Sequence, residues 1–126
     1  MKGEEFCEEC GTSYMVETHH IVFKSECKPL ENSSMNQTYL CPYHHRDHRS
    51  GVHHNRELNK KYKLQFQNEL EIKLLKNELA REEVQEVLKI KDKPLDRLLK
   101  TLTCKNSKYI REEVIRACMG GKLQID

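Results

Sequence analysis

The sequence predicts an α+β chain. A small metal-stapled module of two strands and a short helix fills residues 1–55, a long amphipathic helix covers 56–80, and a helical region covers 81–126. Three observations lead there. All seven histidines lie between His19 and His54, and four of the six cysteines lie at or before Cys41, so metal-ligand chemistry is concentrated in the first half. Strand and turn signals alternate through that half. Beyond Asn55, apolar residues recur at helical spacing.

Residues 5–11, Glu5-Phe6-Cys7-Glu8-Glu9-Cys10-Gly11, read as a tight turn carrying two thiols. Tyr14 to Phe23 is rich in β-branched and aromatic residues, which predicts a strand. Lys24 to Met35 is polar and holds Pro29 and Asn32-Ser33-Ser34, which predicts a loop. Asn36 to Leu40 reads as a short second strand. Pro42 suits the first turn of a helix that Gly51 would end. From Arg56 to about Ala80 no Pro or Gly intervenes. Leu58, Tyr62, Phe66 and Leu70 repeat every four residues, followed by Leu75 and Leu79, which predicts an amphipathic helix of roughly 37 Å. Its apolar stripe is a packing seam, laid over the first module or against a second copy in a homodimer. Arg81 to Ile90 reads as a short helix with Val84, Val87 and Leu88 inward. A turn at Lys91-Asp92-Lys93, a helix from Pro94 to Leu102 and another from Tyr109 to Met119 complete the chain.

Composition narrows the function. With 126 residues the chain makes one ordinary domain or a module with a tail. Charged residues are 33%, Trp is absent and mean hydropathy is −0.84, so the apolar core is thin. No run approaches the ~20 apolar residues of a membrane span. The start, Met1-Lys2-Gly3-Glu4-Glu5, lacks the apolar stretch of a signal peptide, so a cytoplasmic location is expected, where close Cys and His pairs bind metal rather than form disulfides. Residues 1–55 carry five Lys/Arg against eight Asp/Glu, and residues 56–126 seventeen against twelve. The basic second half suits approach to a phosphate backbone, although mixed-charge helices give the same balance.

Cys7-x2-Cys10 and Cys41-x2-His44 are two knuckles thirty residues apart. A structural zinc ion takes four such ligands tetrahedrally, and two tight turns supply two each. A module this small gains stability from the staple. His45 competes with His44 as fourth ligand, and Cys27 is a more distant alternative. Cys104 and Cys118, at helix-like positions, read as buried small hydrophobes.

Between and beyond the knuckles lie His19, His20, Asn36 and His45. Neutral imidazole takes a proton from water or binds a divalent ion, and phosphodiester hydrolysis needs both. Neighbouring strand residues point to opposite faces, so His19 and His20 serve one site only where the strand ends or bulges.

Together, Cys7-x2-Cys10, Glu17-Thr18-His19-His20-Ile21, Asn36-x3-Leu40-Cys41 and His44-His45 resemble the signature of the HNH endonucleases, over roughly residues 5–55. The chain looks like a small phage or bacterial member. His20 lies sixteen residues before Asn36 and twenty-five before His45, slightly beyond the commonest lengths, and His44 stands where many members have Cys. The resemblance implies a zinc-bound ββα-metal fold and Mg²⁺- or Mn²⁺-dependent hydrolysis of DNA, leaving 5′-phosphate and 3′-hydroxyl ends. It implies His20 as general base, His19 and His45 as ligands of the catalytic ion, and Asn36 as the residue holding the His20 ring. Arg46 and Arg49 would contact phosphates. His53, just after the Gly51 turn, would add a metal or phosphate contact, whereas His48 and His54 read as exposed loop residues.

Residues 81–114 resemble, more weakly, a helix-turn-helix of the excisionase type, whose recognition helix would turn Lys93, Arg97 and Lys100 to DNA. The stretch from Thr103 to Lys108 is short for the wing of that type. A plain helical packing domain is the competing expectation for these residues, and a non-catalytic zinc-containing DNA-binding regulator or a protein-interaction module is the alternative to the nuclease.

Overall fold

Residues 5–47 and 51–124 are described by the computed structural model, in which helices and small sheets mix as an α+β fold. Arg49 and His48 lie outside the described residues.

Glu17–His20 (β1) and Gln37–Leu40 (β2) pair antiparallel, with Glu17 opposite Leu40 and His20 opposite Gln37. The strand expected from Tyr14 to Phe23 is thus only its central four residues. Met15, at φ 51, turns the chain before it, and bends and turns follow His20. The polar loop carries two single turns of 3-10 helix, Lys28–Leu30 and Ser34–Asn36. Asn36, fully buried, knots this loop together. Its Oδ1 accepts from the Val22 N–H at 2.7 Å, and its Nδ2 donates to the carbonyls of Val22 at 3.0 Å and Leu30 at 3.2 Å. Pro42–Arg46 (α1) follows β2 directly, with Pro at its first turn as expected.

Arg56–Lys73 (α2) starts on Asn55, whose side chain accepts from the Leu58 N–H at 3.0 Å. Tyr62, Phe66, Leu70 and Leu74 are its buried stripe. The helix ends at Lys73 rather than near Ala80, and Leu75 is 76% exposed instead of continuing the seam. Arg111 explains the stop, because its guanidinium donates to the last-turn carbonyls of Glu71, at 2.8 Å, and Leu74.

The C-terminal region is not wholly helical. Glu78–Ala80 (β3), Cys104–Lys105 (β4) and Lys108–Ile110 (β5) form an antiparallel sheet in the order β3-β5-β4. Arg81–Leu88 (α3) and Asp92–Leu99 (α4) lie between β3 and β4, and Arg111–Cys118 (α5) follows β5. Asn106 and Ser107 both take positive φ, 54° and 64°, which turns the short Thr103–Lys108 stretch into a tight hairpin. Cys118 is buried as expected, but Cys104 is exposed on the hairpin.

The two halves share one apolar core, in which Leu30 and Cys27 join Leu88, Leu95 and Cys118. Ser33 ties them further, its buried hydroxyl donating to the Leu88 carbonyl at 2.7 Å. Among the described residues no helix is long and apolar enough to cross a membrane.

Candidate metal centres

The first knuckle is a turn held by its backbone. The Gly11 N–H donates to the Cys7 carbonyl at 2.8 Å, and the Cys7 N–H donates to the Thr12 carbonyl at 2.9 Å. The second knuckle is set by Pro42, which starts α1 so that Cys41 and His44 share one side of its first turn. The four groups converge, with ligand atoms within 4.8 Å of one another, and could hold a metal ion. The Cys10 and Cys41 sulfurs are 3.8 Å apart, and His44 Nδ1 lies 3.3 Å from Cys41 Sγ and 3.7 Å from Cys7 Sγ. A tetrahedral ion with bonds of ~2.3 Å to sulfur and ~2.05 Å to nitrogen has edges of about 3.8 Å and about 3.5 Å. The side chains thus stand at the corners of such an ion. Burial acts to raise the Cys7 thiol, but backbone hydrogen bonds from Cys41, Cys10 and Glu9 outweigh it and bring it down to about 6, which favours the ligating thiolate. Neither His45 nor Cys27 joins this set. Burial pushes Cys27 up to about 11, as suits a core thiol.

The second cluster is His19, His45 and His53. Ring centroids are 5.2 Å apart for His19 and His45, 5.1 Å for His19 and His53, and 4.8 Å for His45 and His53. The facing Nε2 atoms of His45 and His53 are 3.1 Å apart. His19 is 1% exposed, and neither of its ring nitrogens has a hydrogen-bond partner. A buried polar group left unpaired is expensive, so the orphaned ring points to a ligand that coordinates through one of its nitrogens. Burial, helped by His45 and His53, pushes His19 down to about 3, so the ring is neutral near pH 7 and one of its two nitrogens keeps a lone pair that can coordinate. Glu17 stands behind His45, with Oε1 2.9 Å from Nδ1. A carboxylate there accepts the hydrogen bond from Nδ1–H and aims the Nε2 lone pair into the cluster. The same hydrogen bond, followed by the charge of Arg46, holds the Glu17 carboxyl below its usual range.

Comparison of the chain with protein-family models, with curated proteins and with solved structures finds no match. The local chemistry therefore carries any functional reading.

His20 is the last residue of β1 and stands outside the ring trio. Its Nε2 lies 2.7 Å from the Glu31 carbonyl oxygen. Asn36, expected to hold this ring, instead spends its side-chain bonds on the backbone of Val22 and Leu30. The correction has a simple cause: Asn36 closes the 3-10 turn beneath the loop and is buried under it.

Arg46 is exposed but pairs with Glu17 Oε2 at 3.0 Å. Lys93 and Arg97 are exposed on α4, on the side away from buried Leu95, Leu98 and Leu99, and Lys100 is exposed just past its end. His53 belongs to the ring cluster, and Glu17 is a supporting residue that sequence reasoning missed. The signal for Glu17 was its place two residues before His19, on the same strand face.

Proposed function

We propose that this chain is a metal-dependent endonuclease of the HNH type, with a zinc-stapled ββα-metal module that hydrolyses DNA phosphodiester bonds. The observation that carries the reading is the buried His19, its nitrogens unpaired, facing His45 and His53. In this reading Cys7, Cys10, Cys41 and His44 hold the structural zinc. Three imidazoles suit Zn²⁺, Ni²⁺ or another late transition metal better than Mg²⁺ or Mn²⁺, which prefer oxygen ligands.

His20 supplies the base. The Glu31 carbonyl can only accept, so the His20 ring carries its proton on Nε2 and keeps the Nδ1 lone pair free. Nδ1 takes a proton from water as the water oxygen bonds to phosphorus. The bond from phosphorus to the departing 3′-oxygen breaks, and that oxygen leaves with the electron pair and takes up a proton from solvent. The bound ion would offset the negative charge that gathers on the phosphate and the leaving oxygen. Glu17 fixes the ring of His45, and Phe23 packs against His19 and His53, at ring distances of 5.9 Å and 5.2 Å.

Nicking of supercoiled plasmid in the presence of Mn²⁺, Zn²⁺ or Mg²⁺ tests the reading. Cutting by the wild type and loss of cutting in His20→Ala would support it; equal activity in the two, or none in the wild type, would remove it.

A second reading is a non-catalytic DNA-binding regulator. It is favoured by the order β3-α3-α4-β4-β5, which resembles a winged helix-turn-helix with Lys93, Arg97 and Lys100 on its outer helix. Salt-sensitive DNA binding without cutting would favour it over the nuclease.

A further inference from the structure

A cleft of about 920 Å³ opens between the first half of α2 and the segment that follows α5. That volume is at the upper end of ligand-binding clefts, which run ~300–1,000 Å³. Arg56, Lys60, Lys63 and Lys122 line it, against the carboxylates of Glu26 and Glu57. Lys63 and Glu26 pair at 2.7 Å, so one of the carboxylates is already neutralised. Arg56, Lys60 and Lys122 are exposed and have no ion pair among the described residues.

The cleft is built, not a gap left by a loose end. Gly120, at φ 76°, lies so close to Glu26 that a Cβ there would be 2.9 Å from the Glu26 Cβ. Gln124 is fastened to α2 twice, its N–H donating to Gln67 Oε1 at 2.6 Å and its carbonyl accepting from Gln67 Nε2 at 3.2 Å. The wall that carries Lys122 is therefore pinned on both sides of it.

One residue of its lining, Lys63, links the cleft to the ring cluster through Phe23. Lys63 Nζ lies 5.0 Å over the Phe23 ring, and that ring is 5.2 Å from His53. Arg56 follows His53 by three residues, so their Cα atoms are at most about 11 Å apart.

Resting on the nuclease reading, we propose that the DNA strand held at the three-histidine centre continues into this cleft, where Arg56, Lys60 and Lys122 grip its phosphates. The Lys63–Glu26 pair marks the border between centre and cleft and fixes α2 against the loop after β1. The contacts are to the backbone, so they hold the strand without reading its sequence.

The test is binding of a labelled 20-nucleotide single strand by full-length His20→Ala protein, followed by fluorescence anisotropy across a salt series. Three phosphate contacts on a single strand correspond to about 2 units in the slope of log affinity against log salt. The variant Arg56→Gln/Lys60→Gln/Lys122→Gln should lose about that much slope and bind at least roughly tenfold more weakly at 0.1 M salt. The control Lys73→Gln/Lys76→Gln/Arg116→Gln removes the same charge from surfaces that do not line the cleft and should keep the parent slope. An unchanged slope in the cleft variant, or an equal loss in the control, would overturn the inference. Plasmid nicking by wild type separates the two proposals. Nicking together with an unchanged slope removes the cleft and keeps the nuclease. A lost slope in a chain that never nicks removes the nuclease, and the cleft remains as a backbone grip.

Discussion

The Glu31 carbonyl oxygen and Nε2 of His20 lie 2.7 Å apart, which decides the tautomer of the ring. A carbonyl cannot donate, so Nε2 bears the proton and Nδ1 keeps the lone pair that the proposed mechanism uses as base. Removing the ring in His20→Ala should lower plasmid nicking by roughly 10²- to 10⁴-fold. Metal content should not change, because His20 belongs to neither candidate ligand set. Nicking rates with metal content by mass spectrometry check this; a loss of less than tenfold would deny His20 the role of base.

Glu17 acts one step further out. Its carboxylate fixes the His45 ring at 2.9 Å and pairs with Arg46 at 3.0 Å. Glu17→Gln keeps the size but weakens the acceptor. Affinity at the three-histidine centre should fall roughly 10- to 100-fold, as for other outer partners of metal-bound histidine. Competition with a chromophoric chelator measures it, and unchanged affinity would show that His45 needs no orienting partner.

The two knuckles were legible because a tetrahedral ion needs paired ligands on tight turns, and Cys7-x2-Cys10 and Cys41-x2-His44 carry that spacing in the chain itself. The role of Asn36 was not legible, since what it bonds depends on how residues 22–36 coil beneath it. The strand at Glu78–Ala80 was hidden for a related reason. Leu79 continues the apolar rhythm of α2, and only pairing with Lys108–Ile110, about thirty residues on, makes those residues extended. Tertiary pairing outweighs local preference there. The hairpin at Asn106-Ser107 was underestimated because two residues at positive φ close a turn in less chain than a typical loop uses.

Burial of His19 ties stability to pH. Its imidazole titrates at an ordinary value near 6.5 when unfolded and at about 3 in the fold. Between those values the unfolded chain binds more protons, so stability rises with pH through that window and is fully present above it. Moving from pH 7 to pH 5 should therefore lower unfolding free energy by on the order of 2 kcal/mol through this group. Urea titrations at the two pH values, with one equivalent of zinc for the knuckle, measure the difference. His19→Gln should reduce it; an identical pH dependence in the variant would mean that His19 is not the titrating group.

Gly51 brings His53 back to His45. Its N–H donates to the Asp47 carbonyl at 3.0 Å, and the next N–H, of Val52, donates to the His44 carbonyl at 2.7 Å. A Cβ on residue 51 would stand 2.4 Å from the Asp47 nitrogen and 2.6 Å from its oxygen, both rigid backbone atoms. Gly51→Ala must therefore push the returning turn off α1, drawing Val52 from its 1% exposed position and His53 from the ring trio. The strain should cost about 1–3 kcal/mol in stability. Losing a direct ligand should weaken the centre at least as much as losing an outer partner, by about tenfold or more. The Cys7, Cys10, Cys41 and His44 site draws its ligands from before the turn and should fill normally. Titration with Co²⁺ distinguishes the two sites, since only the first gives thiolate charge-transfer absorption. If the second equivalent binds Gly51→Ala as tightly as wild type, His53 is not a ligand, and the ion would rest on His19 and His45 alone.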